Sequence, residues 1–332
     1  MSKIIFKNKI GASYCGDSLK LIKSKKFQKA YKGKIDLIFT SPPFNLVKKK
    51  KYGNENGQEY INWLTEFSKP LTDLLTEKGS IVIEMGNSFE KGSPIFSTIP
   101  LESLLSFKNK SKLYLCQEFI CHNPARLPSP AEWVTVRRIR VKDSYTRLWW
   151  LSKTPHPKSD NKKILKEYSP SMRKKLQNGK ISTGTRPSGH KITENFIKNN
   201  GGSISPNFLE FNNGDYLFEK SENSLSIPNS SIQSNYNTFC RENNLEPHPA
   251  RIQPNLIEFF IRFLTDEGDL VFDPFGGSNT TGMVSNKLER KWVSCEKNID
   301  YIKGSLIRFY SESKSKNIIK RLAKKRISNL VK

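Results

Sequence analysis

Two turn peptides restrict this chain more than anything else in it. Thr40-Ser41-Pro42-Pro43-Phe44 closes the apolar run at residues 34–40. Asp273-Pro274-Phe275-Gly276-Gly277-Ser278-Asn279-Thr280-Thr281-Gly282 closes the run at 268–272. Short continuous apolar runs bounded by turn residues read as strands buried on both faces. The expectation is that both peptides, roughly 230 positions apart, sit at neighbouring strand tips of one sheet, where open α/β sheets hold ligands.

The rest of the chain supports an α/β class. A helical pattern at residues 60–75 places Ile61, Leu64, Phe67, Leu71, Leu74 and Leu75 on one stripe. Further strands are expected at 79–84, 113–121, 148–151 and 291–295, with helices at 248–265 and 283–288. Strand–helix alternation of this kind argues for a sheet covered by helices. Between about 152 and 246 the texture changes to Asn, Ser, Gly, Pro and Lys with weak apolar periodicity. The boundaries expected are therefore an α/β domain at 1–151 and 247–332, interrupted by an inserted module at 152–246.

The glycine-bearing peptide has the parts to wrap a nucleoside cofactor. Its glycines let backbone pass close to a ligand, and the following helix N-terminus suits a carboxylate or phosphate. Asp273 is placed to accept from an ammonium or hydroxyl. Glu296, directly after the strand at 291–295, stands where an acid grips ribose hydroxyls in nucleotide-binding units. Alone, the pattern reads equally well as a glycine-rich turn with a helix cap. No Gly-x-x-x-x-Gly-Lys-[Ser/Thr] loop is present, which counts against nucleoside triphosphates.

The proline-bearing peptide suits a base amine. Consecutive prolines fix φ and contribute no N–H, so the carbonyls of Ser41 and Pro42 are left to face a cleft. Phe44 offers a flat face for stacking. The Ser41 side chain and the Pro42 carbonyl accepting both amino hydrogens would favour a pyramidal, nucleophilic nitrogen. Such a reaction needs positioning and matched dipoles, with no covalent intermediate, and a base taken out of the stack. Attack at cytosine C5 requires a cysteine nucleophile, and none of Cys15, Cys116, Cys121, Cys240 and Cys295 follows the proline usual there.

Composition narrows the partners. The chain has 332 residues with 56 basic against 31 acidic, a net charge of +25, which points to polyanions. No apolar run approaches the roughly 20 residues a spanning helix needs, and the N-terminus lacks a signal-peptide layout. A duplex nucleic acid in the cytoplasm is expected, with no membrane partner. The scattered cysteines and four histidines make no zinc set, so no metal is expected. Cations crowd the insert (among them Lys162, Lys163, Lys166 and Arg173), and Lys48, Lys49, Lys50 and Lys51 follow the proline turn. Their expected work is phosphate contact.

Taken together these segments resemble the amino-methylating DNA methyltransferases of permuted order, in which the catalytic strand precedes the recognition region and the cofactor loop comes last. Tyr14-Cys15-Gly16-Asp17 is similar to that family's Gly-Asp segment, and Ser41 to Phe44 to its catalytic tetrapeptide. His248-Pro249-Ala250-Arg251 and the helix after it resemble the stretch before the cofactor loop. Asn123 to Pro128, Trp149 to Thr154 and Arg186-Pro187-Ser188-Gly189-His190 are similar to one subgroup; Asn279 stands where many relatives carry glycine.

The resemblance implies a doubly wound, mostly parallel, Rossmann-like sheet of the class I methyltransferase type, circularly permuted, with a small recognition insert. It implies S-adenosylmethionine as cofactor, held by Asp17, Thr40, Asp273, Phe275, Gly276, Gly277, Ser278, Asn279, Thr280 and Glu296. It implies Ser41, Pro42, Pro43 and Phe44 as the catalytic set, and Lys48, Lys49, Arg126, Arg186 and His190 against DNA. Serine in the tetrapeptide resembles the cytosine-N4 version, with adenine N6 the first alternative and RNA or protein amides the second. A nucleic-acid-binding module without chemistry is the non-enzymatic alternative, against which both intact peptides argue. The resemblance also implies a restriction–modification setting, with a cognate endonuclease acting as a separate protein.

Overall fold

The computed structural model describes residues 2–45, 57–179, 184–193, 198–210 and 229–328. In chain order the strands are β1 (Lys3–Lys7), β2 (Gly11–Cys15), β3 (Ile35–Thr40), β4 (Leu75–Gly86), β5 (Tyr114–His122), β6 (Tyr145–Ser152), β7 (Gly184–Thr185), β8 (Lys191–Ile192), β9 (Phe208–Glu210), β10 (Leu270–Asp273) and β11 (Lys291–Glu296). The helices are α1 (Ser18–Lys23), α2 (Lys25–Tyr31), α3 (Gly57–Leu74), α4 (Ile99–Lys110), α5 (Pro170–Asn178), α6 (Asn229–Glu242), α7 (Pro254–Leu264), α8 (Thr280–Lys287), α9 (Ile299–Ser305) and α10 (Glu312–Ser328).

Nine strands form one sheet in the order β1-β2-β11-β10-β3-β4-β6-β5-β9. From β2 to β4 all neighbours run parallel. Strand β6 enters antiparallel between β4 and β5. The central strands are buried on both faces because helices cover both. Ile38 and Phe272 pack into the core under α1, α2, α3 and α4. The next residue, Phe39, points the other way, 5.6 Å from the Phe260 ring of α7. Trp149 and Trp150 divide likewise, the first into that core and the second against Phe263 at 5.1 Å. Each fully buried side chain of this size stabilises by about 1.5–3 kcal/mol.

Strands β3 and β10 are direct neighbours, with Val271 beside Leu37 and Phe272 beside Ile38. From β3 the chain leads to β4 on one side; from β10 it leads to β11 on the other. Their tips therefore open a crevice at the point where the winding reverses, and the two turn peptides flank it.

Element boundaries shift where prolines and caps decide them. The helix expected from residue 248 begins at Pro254, because Gln253 is held extended (φ −68°, ψ 130°) before a proline at the first helical position. The helix expected at 283–288 starts three residues earlier, at Thr280, because Asn279 caps it and its side chain accepts from the Gly282 N–H.

The insert is smaller than 152–246. The chain divides into one compact unit of Met1–Ser159 with Asn207–Lys332, and a second of Asp160–Pro206. In the second, Lys166 and Ser203 bridge through paired backbone hydrogen bonds of 2.8 Å, Ser205 donates to the Ile164 carbonyl, and β7 and β8 make a small hairpin. Residues after 206 rejoin the first unit. There β9 extends the sheet beside β5, and Tyr236, Phe239 and Cys240 of α6 are buried. These few apolar residues at helical spacing are diluted by polar neighbours, which is why composition assigned them to the insert.

Gly304 of α9 is where α6 seats. A Cβ there would fall 2.6 Å from Cys240 Sγ and 3.2 Å from the Tyr236 ring. Gly304→Ala is therefore expected to lower unfolding free energy in a denaturant titration by about 1–3 kcal/mol, the usual cost of overpacking. An unchanged midpoint would mean that α6 does not pack on α9.

Candidate active site

At the crevice lies a cavity of about 900 Å³, large enough for a nucleoside cofactor and a base. Ser41, Pro42, Pro43 and Phe44 line it from the β3 tip. Phe275, Gly276, Gly277, Ser278 and Thr280 line it from the β10 loop, with Asp17 and Glu296 from the tips of β2 and β11. Arg126 also reaches it. Pro43 and Gly277 thus share one pocket, as their placement at adjacent strand tips requires.

Asp273 joins the two peptides. Its Oδ1 accepts from Thr40 Oγ1 at 2.9 Å and from the Phe275 N–H at 3.0 Å. Its Oδ2 accepts from Thr281 Oγ1 at 2.7 Å. Asp273 is 2% exposed, and desolvation pushes its pKa up to about 6 against the pull of those three donors. The side chain expected to hold a cofactor ammonium lines the cavity and also braces strand tip, loop and helix. Thr40, expected beside the cofactor, differs: it is buried, spends its hydroxyl on Asp273 and does not line the cavity.

Asn279 is also not in the wall. It adopts φ 55°, ψ 41° in the left-handed region, where glycine is at ease and asparagine is the next most tolerant residue. That backbone requirement accounts for asparagine where glycine was expected. Gly277 has φ 51°, and a Cβ there would lie 3.0 Å from His248 Nε2, so the close approach requires glycine. Its N–H donates to Glu296 Oε2 at 2.8 Å, while Glu296 Oε1 accepts from the Asn298 N–H at 2.7 Å. Burial raises the Glu296 pKa above the ordinary glutamate value. Each of its oxygens keeps a lone pair for a ligand hydroxyl. Phe275 anchors the loop against Phe67 and Trp63 of α3, at 5.1 and 5.7 Å.

The donor set fits S-adenosylmethionine. Glu296 and Asp17 suit the nucleoside end. At the other end, Ser278 and Thr280 present hydroxyls at the start of α8, and Arg308 stands behind them. Its guanidinium donates to Ser278 Oγ at 3.3 Å and lies over the Tyr236 ring at 5.0 Å. Its Nε has no partner among the described residues. Burial lowers its pKa to about 10, which still leaves a buried cation near neutral pH. An anionic carboxylate at Ser278 would compensate it.

Sequence reasoning missed Glu84. It sits on β4 beside the catalytic turn and lines the cavity. Ser41 donates to it, and Thr146 Oγ1 donates to Oε1 at 3.1 Å. Desolvation raises its pKa above the ordinary value, opposed by these hydrogen bonds and by the Arg126 charge. The available signal was an acid inside the otherwise apolar stretch Ile81-Val82-Ile83-Glu84-Met85, since a buried carboxylate in a cleft marks function more often than packing. Phe44 lies against Gly86 two residues on, where a Cβ would fall 2.6 Å from Phe44 Cδ2.

The expected DNA contacts belong to different units. Arg126 lines the cavity, its Nη1 bonded to the Tyr145 carbonyl at 2.9 Å. Arg186 and His190 are exposed in the β7–β8 turn of the second unit, where the Arg186 N–H donates to the His190 carbonyl. Lys48 and Lys49 lie outside the described residues. Among the described residues no group of three His, Cys, Asp or Glu could hold a metal, and no helix is long and apolar enough to cross a membrane.

A helix-backed, mostly parallel sheet with a nucleoside pocket beside a Ser-Pro-Pro-Phe turn defines a class of amino-group methyltransferase. The family described as DNA methylase, covering N6 and N4 enzymes, matches residues 35–307, and this chain belongs to it. It is 41% identical over 318 residues to the type II methyltransferase M.PvuII of Proteus hauseri, spanning 94% of this chain and 88% of that one. The solved PvuII DNA methyltransferase (cytosine-N4-specific) superposes with a TM-score of 0.70 at 35% identity, covering 96% of this chain and 94% of that one. M.BamHI of Bacillus amyloliquefaciens is 26% identical over 347 residues, 97% of this chain and 66% of its own length.

The brace has a pH signature. A carboxyl whose folded pKa lies above its unfolded value stabilises fully below the unfolded pKa, and that contribution is lost as pH rises through the folded one. For Asp273 the window runs from 3.8 to about 6. The stability of the parent protein relative to Asp273→Asn is therefore expected to fall as pH rises across that window, measured by denaturant midpoints. A difference that grows with pH would refute the assignment.

Proposed function

We propose that this chain methylates the exocyclic N4 of a cytosine flipped out of duplex DNA, using S-adenosylmethionine. The observation that carries this reading is the shared cavity, lined by the hydrogen-bonded Ser41–Glu84 pair and Pro42 together with Gly276, Gly277 and Ser278. Bound S-adenosylmethionine supplies a sulfonium methyl group to the amine nitrogen. The chain's own residues orient that nitrogen. Ser41 Oγ, donating its hydrogen to Glu84, turns lone pairs to the amine, and the Pro42 carbonyl accepts the second N–H. Glu84 is placed to draw the departing proton through Ser41. Phe44 stacks the base, and Glu296, Ser278 and Thr280 hold the cofactor.

Cytosine is favoured over adenine by the serine in the turn and by similarity to an enzyme described as cytosine-N4-specific. The basic unit of Asp160–Pro206 supplies target recognition, with Arg186 and His190 as base-reading candidates, Arg126 at the cavity as a DNA contact, and Lys48 and Lys49 as phosphate contacts. Because its relatives are type II methyltransferases, the reading extends to a restriction–modification pair with a separate endonuclease, acting on cytoplasmic DNA.

DNA from a host expressing the chain, digested to nucleosides and analysed by mass spectrometry, is expected to contain N4-methylcytosine. N6-methyladenine would move the activity to the other branch of the family, and neither product would reject the proposal. Glu84→Gln is expected to lower kcat by about 10²-fold, the lower range for a lost proton acceptor. Parent kcat should rise with pH through the raised pKa of Glu84, because only the anion accepts a proton. A rise that persists unchanged in Glu84→Gln would remove Glu84 from the proton path.

A further inference from the structure

The connection between β5 and β6 leaves the sheet at the catalytic end and forms a strap with an unusual surface. Its two limbs are tied together. The Asn123 N–H donates to the Ser144 carbonyl at 2.7 Å and the Asp143 N–H to the Ser129 carbonyl at 3.3 Å. Lys142 Nζ bonds the Pro124 carbonyl at 2.8 Å. Asn87 on the β4 side holds Asp143 at 2.9 Å, and Arg140 bonds the Pro94 carbonyl at 2.7 Å while lying over the Phe89 ring. The strap is therefore anchored, yet Leu127 is 80% exposed and Val141 88%. Val136 and Ile139 are exposed as well. Anchored apolar side chains held out in water mark an interaction surface.

Its position and charge say what covers it. Asn123 and Arg126, at the root of one limb, and Tyr145 and Thr146, at the root of the other, line the cavity. Leu127 follows Arg126 directly, and Lys142, which follows Val141, reaches back within 3.4 Å of the Arg126 carbonyl. Arg137 and Arg138, between Val136 and Ile139 in the chain, and Lys142, next to Val141, are exposed as well. Cations neighbouring aliphatic tips complement a polyanion that has an apolar gap, which is a duplex with one base removed from its stack. Aliphatic wedges between base steps are a known way of holding such a gap open.

We infer that Leu127 and Val141 form a wedge that enters the DNA stack where the target base has left it, with the neighbouring arginines on flanking phosphates. The inference rests on the proposed methyltransferase reading and adds a surface to it. Because both side chains are solvent-exposed, the Leu127→Ala/Val141→Ala variant keeps the packed core intact.

The test compares two duplexes bearing the methylated sequence mapped in the expressing host. In one the target cytosine faces guanine; in the other it faces an abasic position, where leaving the stack costs less. Single-turnover methylation by the variant is expected to slow at least about tenfold on the paired duplex and to stay within about twofold of the parent on the abasic one. Equal slowing on both duplexes, or slowing on neither, would overturn the wedge. Failure of the parent enzyme itself on the paired duplex would overturn the methyltransferase reading, and the wedge with it.

Discussion

One buried carboxylate sets the geometry of everything at the crevice. Asp273 receives the Thr40 hydroxyl from the neighbouring strand, the Phe275 amide from its own loop and the Thr281 hydroxyl from the helix beyond. A solvated acid would gain little from such contacts. At 2% exposure the alternative to each bond is an unpaired donor or acceptor in low dielectric, so each matters far more. The proline-bearing turn and the glycine-bearing loop are thereby fixed relative to each other by one side chain at the cavity wall. Chemistry that depends on in-line positioning is sensitive to displacements of an ångström, which gives the brace its functional weight.

The same low dielectric shapes the other charged groups. Glu84 and Glu296 are both pushed above the ordinary carboxylate range by burial. Their partners differ, and so do their uses. Glu296 is satisfied by the amides of Gly277 and Asn298, which orient it as an acceptor for ligand hydroxyls. Glu84 accepts from hydroxyl groups, Ser41 and Thr146, with Arg126 nearby, which is the arrangement the proposed proton path uses. Opposite them, Arg308 remains cationic though buried, biasing the Ser278 end of the cavity toward an anion. On the proposed reading, acids gather where the nucleoside and the amine would lie, and a cation stands where the cofactor carboxylate would.

Much of this was legible in the sequence because it is local. The two turns follow from proline and glycine stereochemistry, and the buried parallel strands from unbroken apolar runs such as Leu37-Ile38-Phe39. What could not be read depended on partners far along the chain. Thr40 looks like a ligand contact in isolation, and only its pairing with Asp273 shows the brace. Asn279 departs from glycine for a backbone reason that a one-dimensional pattern does not carry. Glu84 was hidden because a lone acid in a strand has no motif, and its meaning comes from Ser41 on the neighbouring strand. The insert was drawn wider than the second compact unit because polar composition masked the stripe of Tyr236, Phe239 and Cys240 that packs α6 against α9.

The central claim is that one cavity serves both peptides. A crystal structure of the protein with S-adenosylhomocysteine tests it most directly. The account expects ligand density between Glu296 and Ser278, with the ligand sulfur facing Pro42 and Pro43 across the crevice. Density bound elsewhere, or a sulfur turned away from the Ser41 turn, would contradict it.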